Sequence, residues 1–268
     1  VAYRILHVSD LHTGPPFRQT VADTLVTQAH TIKPDLVVVS GDFVQRADFV
    51  AQWRAACALR EALPQPQLVV PGNHDVPLFH LHLRLFNSLG RYRRYVTTEL
   101  NPVFELPGLV VVGANTAHGL TRDGGRLSRA QRANLRRILA RYGPEVYKIV
   151  VWHHPVAHPP GARKNRVMRG ASSAMQVLDE HRVGLLLTGH LHTGYVGHTR
   201  TMMPQLQQGT IICQSGTTTS NRGHGHEKGQ NSCNLITLDE QFIQISQLLY
   251  QAEVQQFVPV AEYRFPRI

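Results

Sequence analysis

The sequence predicts an α/β layered domain whose final third adds a second sheet, and three observations carry that expectation. Short runs rich in Val, Ile and Leu recur at 5–8, 36–39, 68–70, 109–112, 148–152 and 183–187, as strands buried on both faces do. Helical patterns lie between them, and such alternation implies layered α/β architecture. At 211–214, 233–238 and 242–249 apolar and polar residues alternate instead, the period of half-buried antiparallel strands. These later strands are expected to pack as a second sheet, face to face with the first. The chain has 268 residues, 42% of them hydrophobic. That is ample for a sizeable core, and 1–268 reads as a single domain.

The elements follow in order. The stretch 1–8 is already strand-like, so nothing there reads as a signal peptide. Ser128 and Gln131 make a capping box, after which Leu135, Ile138, Leu139 and Tyr142 recur at helical spacing. Ser173 with Gln176 opens a further helix expected to run to about His181. Asp239-Glu240 suggests a tight connection between the last two strands. The segment 215–232, rich in Gly, Ser, Thr and Asn, is expected to be a mobile loop.

Composition narrows the function. With 28 Lys and Arg against 18 Asp and Glu the formal charge is +10, which attracts phosphates, nucleotides, nucleic acid or acidic lipid headgroups. No apolar run reaches the ~18 residues of a membrane span. Cys57, Cys213 and Cys233 make no disulfide framework, which points to a cytoplasmic protein. The unusual number is 16 histidines, and their placement matters more than their count.

Polar clusters follow the strand runs. Ser9-Asp10-Leu11-His12, Ser40-Gly41-Asp42, Pro71-Gly72-Asn73-His74-Asp75, His153-His154-Pro155 and Thr188-Gly189-His190-Leu191-His192 each come just after one. Ligands of open α/β sheets bind outside the carboxyl ends of the strands, so five strands deliver Asp, His and Asn to one sheet edge. Gly41, Gly72 and Gly189 are expected to supply sharp turns. Asp10-x-His12 and His190-x-His192, taken as extended, each place both side chains on one side. Carboxylate, imidazole and amide donors together suit borderline divalent metals. Asp42 is the natural carboxylate to bridge two cations, the arrangement that clamps both oxygens of a phosphoryl displacement. Singly, each histidine reads more plainly as a surface or core residue; jointly, the five clusters point to a dinuclear centre.

These blocks, complete and in order over residues 10 to 192, resemble the calcineurin-like metallophosphoesterase superfamily. The resemblance implies a four-layer α/β/β/α sandwich of two mixed sheets flanked by helices. It implies that Asp10, His12, Asp42 and His192 hold one divalent ion and that Asp42, Asn73, His153 and His190 hold the other. Manganese is the expected metal, with iron, zinc, cobalt and nickel as alternatives. His74 is expected near the phosphate rather than on a metal, with Asp75 orienting it. His153 is preferred to His154 because the family ligand stands two residues before the proline, and His154 is expected to face away. The implied reaction is in-line attack by a metal-bound hydroxide.

Within the superfamily the short loops resemble bacterial class III cyclic-nucleotide phosphodiesterases and related small phosphodiesterases. The expected substrate is therefore a small phosphodiester. A nucleotide-linked lipid diphosphate, a nucleic acid and a non-hydrolytic scaffold role are the alternatives. Arg222 is a candidate to pair with a substrate phosphate, and Asn115 and His118 are candidates to reach the same edge. The basic, aromatic stretch 79–96 is read first as an ordinary helix with Leu78, Leu81, Leu85 and Leu89 facing the core and Arg91, Arg93 and Arg94 solvated. It is read second as a cap over the site, a nucleic-acid contact or a peripheral membrane contact.

Overall fold

Alternation along each strand decides which layer a side chain joins, and here it builds three separate cores. In the computed structural model, which describes residues 2–158 and 167–267, the first elements are β1 (Tyr3–Val8), α1 (Gln19–Ile32), β2 (Leu36–Val39), α2 (Val50–Ala62) and β3 (Gln67–Val69). Val1, counted in the first strand above, lies outside the described residues. Leu6, Val8, Val37 and Val39 face α1 and α2, meeting Val21, Leu25, Trp53 and Ala56. Their neighbours Ile5, Leu36 and Val38 point the other way, into the space between the sheets.

The chain then makes α3 (Leu81–Phe86), α4 (Gly90–Tyr95), β4 (Val103–Leu106), β5 (Leu109–Gly113), α5 (Arg129–Leu139), β6 (Tyr147–Val151), α6 (Ala171–Glu180), β7 (Leu185–Thr188), β8 (Tyr195–His198), α7 (Thr199–Met202) and β9 (Ile211–Gln214). Here Val111, Ile149, Val151, Leu185 and Leu187 face the inter-sheet space. Val110, Val150, Trp152 and Leu186 meet Leu135 and Ile138 of α5 and Met175 and Leu178 of α6. Helix, sheet, sheet and helix are thus the four layers. The capping box at Ser128 is present: its N–H donates to Gln131 Oε1 at 2.9 Å and its Oγ accepts from the Gln131 N–H at 3.3 Å.

The last three strands are β10 (Ser232–Leu238), β11 (Phe242–Gln251) and β12 (Gln256–Pro266). They correct the expected division of the sheets. One sheet runs β12-β11-β10-β1-β2-β3 and the other β4-β5-β6-β7-β9-β8. The final strands therefore extend the first sheet, with β10 antiparallel to β1 in the register Ile5↔Ile236. β9 belongs to the second, parallel to β7. The physical reason is a free edge: β2 pairs with only one side of β1, and β10 satisfies the other. Asp239 closes the turn between β10 and β11 as expected, its Oδ1 accepting from the N–H groups of Gln241 and Phe242.

Two further expectations change. The helix placed at Ser173 begins at Ala171, with Gly170 as its cap. The stretch 79–96 is two short helices rather than one. Its chain is anchored by Asp48, whose carboxylate accepts the N–H groups of Leu78, Phe79 and His80. Leu89 and Tyr92 turn inward, while Leu81 and Leu85 stay exposed. Among the described residues no helix is long and apolar enough to cross a membrane.

Candidate metal centre

The parallel strands of both sheets end at one edge, and the chain leaves them in conformations that ordinary residues rarely adopt. Asp10, His12, Asp42, His190 and His192 have φ of 53°, 48°, 55°, 76° and 54°. They are five of the eight non-glycine residues with positive φ among those described. Each such residue costs on the order of 1–3 kcal/mol, and strain of this kind gathers at functional sites. The two Asp/His-x-His pairs are thus left-handed rather than extended. That conformation, not strand alternation, turns both side chains of each pair to the same side. At Gly41 the positive φ of 103° is the reason for glycine. At Gly189 the reason is closeness, since a Cβ there would lie 1.9 Å from Ser9 Oγ.

The strain is held by neighbours on two sides. The N–H groups of Asp10 and His12 donate to the carbonyls of Gly41 and Asp42, both at 3.0 Å. From the other side come the hydroxyls of Thr217, on the Asp10 carbonyl at 2.7 Å, and Thr219, on the Leu11 carbonyl at 2.8 Å. Thr217, Thr218, Thr219 and Ser220 are wholly buried. The part of 215–232 expected to be a mobile loop is therefore a packed brace under the strained turn. Its hydroxyls find carbonyls there that no ladder partner satisfies.

Each of the two central carboxylates has one oxygen satisfied and one bare. Asp10 Oδ2 accepts from Ser9 Oγ at 2.7 Å and the His190 N–H at 2.9 Å. Asp42 Oδ1 accepts from the His74 N–H at 2.8 Å. Asp10 Oδ1 and Asp42 Oδ2 are buried with no hydrogen-bond partner. Around the bare oxygens stand imidazole nitrogens. His192 Nε2 is 3.1 Å from Asp10 Oδ1 and 3.0 Å from His12 Nε2. Asp42 Oδ2 lies between two groups, 3.7 Å from His12 Nε2 and 3.3 Å from His153 Nε2. Beyond it, Asn73 Oδ1 is 3.2 Å from His153 Nε2 and 2.9 Å from His190 Nδ1.

This arrangement fits cations. His153 and His192 each donate Nδ1–H to a backbone carbonyl, of Ser40 at 2.7 Å and Arg222 at 3.0 Å, which leaves Nε2 with its lone pair facing the centre. Acceptors crowded on acceptors in a buried space call for positive charge. Burial pushes the Asp10 carboxyl up, but His192, His12 and His153 together outweigh it and hold it well below its ordinary value. Asp42 is likewise held low, by His153 and His74 against its burial. Burial keeps His12 and His190 neutral, each lowered to about 3. His153 is drawn up to about 9: burial opposes this, but Asp42 beside it prevails. Asp10, His12, Asp42 and His192 form one Asp/His cluster able to bind a metal ion. His153, His154 and His190 form another, with Asn73 against the first and the last of these.

His154 corrects the reading that it faces away. It is buried beside the second group, its ring centroid 4.9 Å from those of His153 and His190. Nδ1 is 2.8 Å from Thr116 Oγ1 and Nε2 has no partner. The His-His doublet gave no signal that both members stand at the centre.

Asp75 also differs from its expected role. Its carboxylate accepts from the N–H groups of Gly72, Phe43 and Val44 at 2.8, 2.9 and 3.3 Å, so it ties the loops after β2 and β3 together. Burial and the nearby Asp42 charge push it up to about 8 against those donors. The His74 ring is oriented by a backbone group instead, with Nδ1 2.7 Å from the Gln45 carbonyl. His74 Nε2 faces Arg222 Nη1 at 3.4 Å, and Arg222 also donates to Gln45 Oε1 at 2.7 Å. Sequence reasoning missed Gln45 and Arg46, because neither belongs to a recognisable motif. Of the three candidate substrate contacts, Arg222 meets His74. Asn115 Oδ1 instead accepts the Ala117 N–H at 2.8 Å, and His118 Nδ1 accepts the Leu120 N–H, so both are spent within their own loop.

An open cleft of about 620 Å³ lies over Asp42, Asn73, His74, His190, His192, Arg222 and His224. Beside it a smaller pocket of about 120 Å³ reaches Gln45, Arg46, Val76, Leu78 and Arg84.

Comparison with known proteins agrees with this geometry. The profile of the family described as calcineurin-like phosphoesterase matches residues 3–194. An uncharacterized metallophosphoesterase of Aquifex aeolicus (strain VF5) is 26% identical over 205 residues, 73% of this chain and 66% of that protein. The chain thus spans just under two thirds of that relative's length. Its fold is similar to that of a dimetal phosphatase from Danio rerio, with a TM-score of 0.73 over 99% of both chains at 14% identity. It is also similar to purple acid phosphatase PPD1 from yellow lupin (Lupinus luteus) seeds, with a TM-score of 0.71 at 13% identity over 100% of this chain and 54% of that one.

Proposed function

The chain belongs to the calcineurin-like phosphoesterase family, and on that premise we propose that it is a dinuclear-metal phosphodiesterase acting on a small phosphodiester, a cyclic nucleotide or a diester of that size. The observation that carries the proposal is the pair of bare, buried oxygens, Asp10 Oδ1 and Asp42 Oδ2, ringed by imidazole nitrogens. Asp10, His12, Asp42 and His192 would hold one divalent ion; Asp42, Asn73, His153 and His190 would hold the other. When bound, such a pair supplies Lewis acidity to the phosphoryl group and makes water nucleophilic near neutral pH.

The chain's own residues do the rest. Donation of Nδ1–H to the Gln45 carbonyl fixes the His74 ring and leaves Nε2 toward the cleft. Burial lowers the His74 pKa, Asp42 partly restores it, and Arg222 and Arg46 lower it again. An anionic phosphoester arriving at Nε2 raises it by Coulomb attraction. A proton is thus taken up with the substrate and passed to the departing oxygen, the task of a general acid. Arg222 keeps an uncompensated guanidinium beside that point, since its direct partner Gln45 is neutral. It would pair with a phosphoryl oxygen.

A cleft of about 620 Å³ falls within the range of small-molecule sites, which supports a small diester over a polynucleotide. The exposed apolar residues beside the pocket favour one second reading, hydrolysis of a nucleotide-linked lipid diphosphate. The test is turnover of bis-p-nitrophenyl phosphate against p-nitrophenyl phosphate with added Mn²⁺, followed by cyclic nucleotides and nucleotide-linked lipids. The diester is expected to be cut faster, and EDTA to abolish the reaction. Failure of every divalent metal to support turnover of either ester would overturn the proposal.

A further inference from the structure

Beside the pocket the fold leaves apolar side chains in water. Phe79, Leu81, Leu85 and Phe86 are between 58% and 88% exposed, and α3 buries none of its residues. Leu120, 75% exposed, lies on a loop laid against α3, where Arg84 Nη2 donates to the Thr121 carbonyl at 2.6 Å. Five of the ten exposed large apolar side chains among the described residues therefore lie on α3, just before it or on the loop bonded to it. Scattered surface apolar residues are ordinary, but a contiguous patch marks a contact surface.

Charge says what kind of surface. Arg93 and Arg94 stand exposed on α4, while Arg84 and Arg91 are half-buried and donate to the carbonyls of Pro77, Thr121 and Ala47. Of the acidic groups nearby, the Asp48 carboxylate is taken by three backbone N–H groups, and the exposed Asp123 and Arg122, 4.0 Å apart, offset one another in net charge. A protruding apolar tip among arginines, on a chain of net charge +10, matches a layer that is anionic at its surface and hydrocarbon beneath. We propose that α3 and the loop bearing Leu120 dock the protein onto an anionic phospholipid bilayer. The apolar side chains enter the interface and Arg93 and Arg94 lie on headgroup phosphates. Leu78 and Arg84 also line the pocket next to His74, so docking turns the cleft toward the headgroup plane. The inference does not depend on the hydrolytic reading.

The test is sedimentation of the intact chain with vesicles of phosphatidylcholine alone or with added phosphatidylglycerol. Binding is expected only with phosphatidylglycerol, and weaker as salt is raised. The triple variant L81S/L85S/F86S is expected to lower the partition coefficient by about tenfold or more, and F86S alone by less. Far-UV circular dichroism and a thermal melt serve as the check that each variant is folded, a readout that stands whether or not the chain hydrolyses a diester. R137E on α5 is expected to bind as the parent does. No partition onto anionic vesicles would overturn the proposal. So would equal partition of parent and triple variant, which would leave only diffuse charge. A dimer seen by analytical ultracentrifugation and lost in the triple variant would also overturn it, assigning the patch to a second copy.

Discussion

At the floor of the centre Asp10, His12, Asp42 and His153 are wholly buried, while a few residues beyond it on the rim Phe86 is 88% exposed. Both regions sit at the same edge of the sandwich, and both break the ordinary rules, in opposite directions. The floor buries charge and strains the backbone, and braces both with hydrogen bonds from Ser9, Thr217 and Thr219. The rim leaves hydrocarbon in water on a helix with relaxed geometry. What the floor lacks is enough positive charge for the carboxylate oxygens crowded there, His153 being its raised imidazole; what the rim lacks is an apolar neighbour. Each deficit names the chemistry that completes it.

Perturbing the two regions separately tests that contrast, and the largest effects belong to the floor. Asp42→Ala removes the oxygen that lies between both groups of donors. It is expected to lose bound metal and nearly all turnover together, measured by elemental analysis of the reconstituted protein alongside diester hydrolysis. His74→Ala is expected to keep its metal and lose turnover by ~10²–10⁴-fold. Equal metal loss in both variants would place His74 among the ligands. Arg222→Ala removes one charge-assisted contact worth about 1.5–3 kcal/mol. It is expected to raise KM more than it lowers kcat, as steady-state kinetics on a diester would read.

Smaller effects mark the supports and the rim. Thr217→Val strands the Asp10 carbonyl in a buried setting, at a cost of about 1–3 kcal/mol. Denaturant melts should show that loss, together with weaker metal retention on dialysis. If Thr217→Val matched the parent in both measurements, the brace would be no part of what holds the strained turn. At the far end of the scale, L85S/F86S is expected to leave soluble diester kinetics unchanged. A large drop in kcat there would mean that rim and floor are not separable.

The residues of the centre were legible in the sequence because they follow strand-like runs and form recognisable blocks at the strand ends. Position after strand-like runs announced the five clusters that carry Asp10, His12, Asp42, Asn73, His74, His153, His190 and His192, while the choice of His153 over His154 came from the family resemblance, and His154 stands beside it. Periodicity likewise marked most of the strands of both sheets, and the capping box at Ser128 marked a helix start. The supports were illegible. Thr217 and Thr219 lie in a stretch whose composition reads as loop, and only its approach to the strained Asp10–His12 turn gives the hydroxyls their purpose. Leu81 and Leu85 carry helical spacing, but spacing says which residues share a face and nothing about whether another element covers it.

By itself, the sequence determined which side chains reach the strand ends, which face of each strand is apolar, and that the donor set suits divalent metals rather than a thiolate site. Tertiary structure alone decided that β10 to β12 complete the first sheet, that β9 joins the second, and that Asp10, His12, Asp42, His190 and His192 adopt left-handed backbone. The reason is range. Alternation and capping act between residues a few positions apart, whereas strand partners, braces for strained turns and cover for apolar faces come from distant segments, those for β1 and the Asp10 turn from more than 200 positions away. Nothing local in the chain records which of those distant segments will arrive.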